Sequence, residues 1–235
     1  MRIYLLLLAM LFMCGTSGKA QTTKQNTGWL FLMNSTRIGK DWGIHFDAQF
    51  RSQDEWDGLR NILIRPGITY FINSNNDLTL GYLFTQTHTE LIGAADNTLT
   101  EHRIWQQYIH KHKISIVNVS HRLRLEQRFM ERYGNDDLFA QRLRYFVRFL
   151  VPLQKPAQSF DKGLFAALQD EVFFNIQNKN KLNGSLFDQN RAYFAIGYRF
   201  SKKIDIEAGY MNQSLKGITS NTSNNVGQLA IYTRF

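Results

Sequence analysis

Apolar and polar side chains alternate with a period of two along most of this chain. Trp42, Ile44, Phe46, Ala48 and Phe50 share one face, and Gly43, His45, Asp47, Gln49 and Arg51 share the other. Leu78, Leu80, Tyr82 and Phe84 stand opposite Thr79, Gly81, Leu83 and Thr85 in the same way. That period belongs to a strand with one apolar face. In the stretch 121–129, Arg122, Arg124, Glu126 and Arg128 fall on one side, and Leu123, Leu125, Gln127 and Phe129 on the other. The next run repeats the arrangement, with Arg142, Arg144, Phe146 and Arg148 alternating with Leu143, Tyr145, Val147 and Phe149. Six arginines on one side of two neighbouring strands would repel in an isolated hairpin. They are tolerable where that side lines a wet, counter-charged interior while the apolar side meets hydrocarbon. This is the pattern of a transmembrane β-barrel.

Turn signals divide the chain into strands at about 29–38, 42–51, 62–72, 78–85, 101–110, 121–129, 142–151, 164–176, 191–200, 204–213 and 226–235. The short turns after Ile38, Ile72 and Phe200 alternate with long loops near 91–99, 177–189 and 214–225, as expected when short turns are periplasmic and long loops face outward. A long connection at 152–163 breaks this alternation. Pro66, which cannot donate to a ladder, predicts a bulge or bend at 65–67. Asp170 and Glu171 are adjacent, so the facing of 164–176 stays open. Eleven strands can be counted, but bacterial barrels usually close with an even number. The expectation is therefore an all-β, antiparallel up-and-down barrel of about twelve strands, or ten, spanning 29–235, with 21–28 as a polar N-terminal segment.

Residues 1–20 read as a cleaved signal peptide: Arg2, an apolar core from Ile3 to Met13, and small residues at Gly18 and Ala20. Met13 is larger than the residue that normally precedes a lipidated cysteine, which argues against lipidation at Cys14. Beyond Cys14 the chain has no cysteine, so no disulfide supports the fold. No later stretch approaches the roughly 18 apolar residues of a membrane helix. Net charge is +9, but no zinc-ligand spacing, recognition helix or aromatic nucleic-acid motif accompanies it, and anionic lipid or anionic solutes are the expected counterparts.

The expected interior network comprises Glu101, Arg103, Arg122, Arg124, Glu126, Arg128, Arg142, Arg144, Arg148, Glu171, Arg191, Asp205 and Glu207. An arginine facing lipid at mid-bilayer costs roughly 2–4 kcal/mol, which six on two strands could not sustain. Gly-Tyr pairs recur at 81–82, 197–198 and 209–210, and Tyr82, Tyr198 and Tyr210 suit an interfacial girdle. Phe235, terminal on an alternating last strand, resembles the signal read by outer-membrane assembly machinery. Neither Glu101-His102 nor Ser120-His121 can act as a side-by-side catalytic pair, because neighbours in a strand face opposite ways. His110 and His112 share a face but lack an evident third metal ligand, and Lys111 and Lys113 suggest a basic turn there. No catalytic residue, metal ligand or cofactor site is expected.

The segments 101–107 (EHRIWQQ), 121–129 (HRLRLEQRF), 142–145 (RLRY), 187–191 (FDQNR) and 209–213 (GYMNQ) resemble the family known as domain of unknown function 2490. The resemblance spans nearly all of the chain after the leader. It implies a bacterial outer-membrane barrel, with no established substrate, reaction or catalytic residue. The functional expectation is a narrow channel or binder for small polar or anionic solutes. The alternatives are a structural or surface-assembly component and, last, an enzyme acting on outer-membrane lipid. The expected partners are outer-membrane lipid and the barrel assembly machinery.

Overall fold

The structure, a computed structural model, describes residues 21–89, 97–134, 136–154 and 159–235. The leader assigned to 1–20 and most of the loop assigned to 91–99 lie outside them. The described residues form eleven strands: β1 (Thr22–Arg37), β2 (Trp42–Ser52), β3 (Leu59–Phe71), β4 (Asn76–Thr89), β5 (Asn97–Ile114), β6 (Val117–Met130), β7 (Leu138–Pro152), β8 (Gly163–Gln177), β9 (Phe187–Ser201), β10 (Ile204–Leu215) and β11 (Asn221–Arg234). Sequential neighbours pair antiparallel, and β11 returns to β1 to close a barrel.

Closure corrects two expectations. The strand number is eleven, matching the dyads in the sequence and not the even number imposed on them. An odd number leaves the first and last strands running the same way, so β1 and β11 pair in parallel, from Thr22 with Asn221 to Ser35 with Arg234. The polar 21–28 segment is not an extra crossing. Residues 22–28 are the first half of β1 and pair with β11 alone, because β2 meets β1 only from Trp29, opposite Arg51.

One end of the barrel carries the connections 38–41, 72–75, 115–116 and 202–203, residues 153–154 and 159–162, and Phe235. The opposite end carries 53–58, 131–137, 178–186 and 216–220, and residue 21. The strand β5 runs through Lys111 and Lys113 to a tight turn at Ser115, where φ is +55°, so the expected basic turn at 111–113 is strand. Pro66 keeps its place opposite Phe46 without a register shift, but on its other side the β3–β4 pairing lapses at Arg65 and Pro66, as a proline without a donor dictates. Register shifts lie at 51/52, 141/142, 173/174 and 204/205. In β8, Glu171 points inward and Asp170 outward, where Asn190 Nδ2 donates to both Asp170 carboxylate oxygens at 3.0 and 3.1 Å.

Inward-facing bulk is accommodated by glycine. A Cβ on Gly81 would lie 2.2 Å from the Trp105 indole, and one on Gly197 would lie 2.3 Å from the Phe165 ring. At 81 and 197 the glycine clears room for a ring, at 209 it allows close approach to the Phe194 carbonyl and Ala195, and the tyrosine beside each faces out by alternation. Tyr198 stands near the end of β9, whereas Tyr82 and Tyr210 are midway along β4 and β10. The outward surface is apolar around the barrel, with Ile44, Ile68, Leu80, Leu123, Leu168 and Phe194 all exposed.

Candidate functional site

The dyads of β5 to β11 send charged side chains of both signs into the barrel, where they meet across strands. Glu101 accepts from two guanidinium groups, Arg103 (2.7 and 2.8 Å) and Arg128 (2.6 and 3.2 Å). Glu126 accepts from Arg142 Nε and Nη2 at 3.0 and 2.7 Å and from Arg144 Nη1, with Arg103 at 3.7 Å. Arg142 reaches on to Asp188 at 2.9 Å, while Arg144 and Arg122 share Glu171 at 3.0 and 2.7 Å. Farther toward the short-turn end, Arg148 pairs with Glu207, and Asp205 binds Arg199 and Arg234. On the far wall Asp47 takes Arg65 and His45, each at 3.0 Å. All thirteen residues assigned to the interior from the sequence thus stand inside. Planar guanidinium groups make this possible, since each can bridge two acceptors at once.

The interior is unevenly filled. Toward the long-loop end, Arg103, Glu126, Arg142, Asn175, Gln189, Gln213 and Asn224 are all buried and interlocked. Toward the short-turn end lies a cavity of about 720 Å³, lined by residues from Trp29, Arg124, Arg144 and Arg191 at its floor to Asn75, Lys113 and Arg234 at its mouth. Nine lysines and arginines line it against three carboxylates, those of Asp47, Asp77 and Glu171. Three of the cations near the mouth are neutralised, Lys111 by Asp77 at 2.7 Å, Arg234 by Asp205 and Arg148 by Glu207, and Lys113 there is exposed to solvent. At the floor, Arg124 bonds only the Gln107 amide oxygen and stacks 4.6 Å over Trp105. Its Nη1 is buried without a hydrogen-bond partner, as are Arg122 Nε and Arg65 Nε. Arg191 bonds only Gln189, at 3.3 Å, and lies over Phe173 and Trp29. Among the described residues neither Arg124 nor Arg191 has a carboxylate within 4.0 Å. Buried unpaired donors are costly, and here they border a space that an anion could occupy.

Residues 26–224 match the family model described as protein of unknown function DUF2490. The chain belongs to the DUF2490 family. An uncharacterized protein of Methylorubrum extorquens is 30% identical over 214 residues, covering 90% of this chain and 89% of that one. No solved structure matches. In this DUF2490 barrel His110 and His112 acquire a third histidine: His121 stacks 5.2 Å from His112 and 6.3 Å from His110 on the outer face. The rings lie nearly parallel, which keeps their nitrogens from converging, and no cluster among the described residues could hold a metal ion. Phe235 closes the seam, its N–H donating to Ser35 O at 3.0 Å and its carbonyl accepting from Arg37 N at 2.6 Å. Sequence reasoning passed over Asp47, Arg65, Gln107 and Trp29. Their parity placed them inside, but only the closed barrel brings them opposite the arginines of β6, β7 and β9.

Proposed function

We propose that this is an outer-membrane β-barrel that binds a small anionic solute in a vestibule open at its short-turn, periplasmic end, and that it does not conduct. Support for the membrane setting comes from the apolar outer surface. Exposed apolar area on this scale is foreign to a soluble monomer and is what a lipid-facing barrel requires. Apart from the long 153–162 connection, the alternation of short turns and longer loops fits the same orientation. The observation that carries the binding reading is the pair Arg124 and Arg191, carboxylate-free at the floor of a cavity lined by a threefold excess of cations. The volume falls in the range of about 300–1,000 Å³ usual for ligand sites. The interlocked layer from Glu101 to Asp188 stands between this cavity and the long-loop end, which favours a binder over a channel. Electrostatics of this kind selects anions without naming one.

The test has two arms. Inorganic phosphate titrated calorimetrically into the refolded barrel in lipid nanodiscs should bind, and Arg124→Gln should weaken it at least tenfold. Wild-type protein in planar bilayers should give no sustained conductance. Absence of any phosphate heat would overturn the anion site, and stable open steps from wild type would overturn the plug.

A further inference from the structure

Resting on that reading, we infer that the vestibule takes an amphipathic anion, with its acidic group at the floor against Arg124 and Arg191 and an unbranched apolar tail running toward the mouth. The argument starts from a break in the interior pattern. Inward positions are otherwise polar, glycine or tightly buried, yet Phe31, Met33, Phe71, Ile109, Phe146 and Leu150 all line the cavity. Five of the six are only half-buried, and Leu150 is 9% exposed. They come from β1, β3, β5 and β7, so they form walls on several sides and not one greasy strip. A wet cavity for inorganic phosphate gains nothing from such walls, whereas a hydrocarbon tail is stabilised by them.

Depth grades the two chemistries, with Phe31 and Phe146, six residues from their strand ends, between floor and mouth. Arg144 lies eight residues from the short-turn end of β7, and Arg191 ten from that of β9. Leu150 lies two residues from the end of β7, Met33 four from that of β1, and Phe71 is the last residue of β3. On a strand tilted by about 40°, the six residues from Arg144 to Leu150 correspond to roughly 15 Å of depth. Charge follows the same axis. Near the mouth Lys111, Arg234 and Arg148 are matched to Asp77, Asp205 and Glu207, and Lys113, which has no carboxylate within 4.0 Å among the described residues, is exposed to solvent, so the buried uncompensated charge is at the floor. The two carboxylates deep in the cavity are also committed, Glu171 to Arg122 and Arg144 and Asp47 to Arg65 and His45. An acidic head is thus drawn past the apolar walls, and its tail is left lying along them.

The test is a chain-length series. Acetate, butyrate, hexanoate and octanoate are titrated at pH 8 into the wild-type barrel in nanodiscs, with empty nanodiscs as the blank and octanol as the uncharged control. Affinity should rise two- to fourfold per methylene, approaching the transfer value for a buried CH₂. Octanol should bind at least tenfold more weakly than octanoate. Phosphate binding accompanied by a flat carboxylate series would overturn the amphipathic ligand and leave the anion site standing. Failure of phosphate and every carboxylate to bind would overturn the anion site itself. Octanoate binding that is matched by octanol, or that survives unchanged in Arg124→Gln/Arg191→Gln, would overturn the head-first orientation. The series on wild-type protein reads out the tail even if that double variant does not fold, and Met33→Ser should flatten the slope while sparing acetate.

Discussion

Replacing Glu126 with glutamine tests the interlocked layer most directly, because Glu126 stands between three arginines and is only 1% exposed. The substitution keeps the shape and one acceptor oxygen but removes the charge. Breaking a buried ion pair by deleting one partner typically costs about 3–5 kcal/mol. Three retained partners argue for the lower end. Arg142 keeps Asp188 at 2.9 Å, and Arg144 keeps Glu171 at 2.8 Å. Arg103 likewise keeps the bidentate Glu101. We therefore expect a loss of about 3 kcal/mol. With a denaturant slope of about 2–3 kcal/mol per molar in urea, the unfolding midpoint should fall by roughly 1–1.5 M. Urea titration of the barrel in lipid vesicles, followed by electrophoretic heat-modifiability, reads this shift. In the double variant Glu126→Gln/Arg144→Gln the loss should be smaller than the sum of the single losses, since one unpaired charge is removed with its partner. A Glu126→Gln midpoint within about 0.3 M of wild type would mean that the layer contributes little and that its buried charges are satisfied by water.

Three further outcomes follow from the geometry. Gly81→Ala places a Cβ 2.2 Å from the Trp105 ring and 2.6 Å from the Pro66 carbonyl, and overpacking of this kind should cost about 1–3 kcal/mol by the same urea titration; an unchanged midpoint would mean that Trp105 does not occupy that space. Deleting Phe235, or replacing it with Asp, should lower the yield of heat-modifiable barrel and raise degradation before insertion, because two seam hydrogen bonds end there; equal yields would contradict the assembly role. In a Cys14→Ser background, a cysteine at position 122 should react with hydrophilic thiol reagents, and cysteines at 123 and 129 with lipid-phase probes. The reverse pattern of labelling would shift the register of β6 by one residue.

Much of the fold was legible because a two-residue period carries facing and strand existence in the same signal. Arg122, Arg124, Glu126 and Arg128 needed only their parity to be put inside. The failures came where the answer depends on closure. Evenness, a regularity of other barrels, displaced a correct count of eleven. The polarity of 21–28 disguised half a strand, because polar residues at the long-loop end need not face hydrocarbon. Partnerships were not legible either. Arg148 meets Glu207 across 59 residues of sequence, a pairing set by the tilt and shear of the closed sheet. The cavity belongs to the same class of facts. Residues from most of the strands line it, and no local stretch of sequence holds enough of them to signal it.

The parallel seam explains how an odd number of strands can close without a stray edge. Parallel pairing is slightly weaker per residue than antiparallel, and here side chains reinforce it. Thr27 Oγ1 donates to Asn224 at 3.1 Å, Asn225 Nδ2 to Asn26 at 3.1 Å, and Asn34 Nδ2 to Thr233 at 2.8 Å. A second problem lies above Trp29, where β1 continues past the end of its pairing with β2. Its N–H groups there would be the open edge that barrels exist to avoid. The end of β2 and the β2–β3 connection cover two of them: Asp54 Oδ1 accepts from Asn26 N at 2.6 Å and Ser52 Oγ from Gly28 N at 2.8 Å. Trp56, held at φ +65° in the short 3-10 turn at 54–56, then lies across Gly28 and Gly227, where any side chain on Gly28 would collide with its ring. The end of β2 and the loop after it thus take hydrogen bonds that a twelfth strand would otherwise supply, and the 22–28 and 221–227 segments, polar at most positions, are polar because they form this seam.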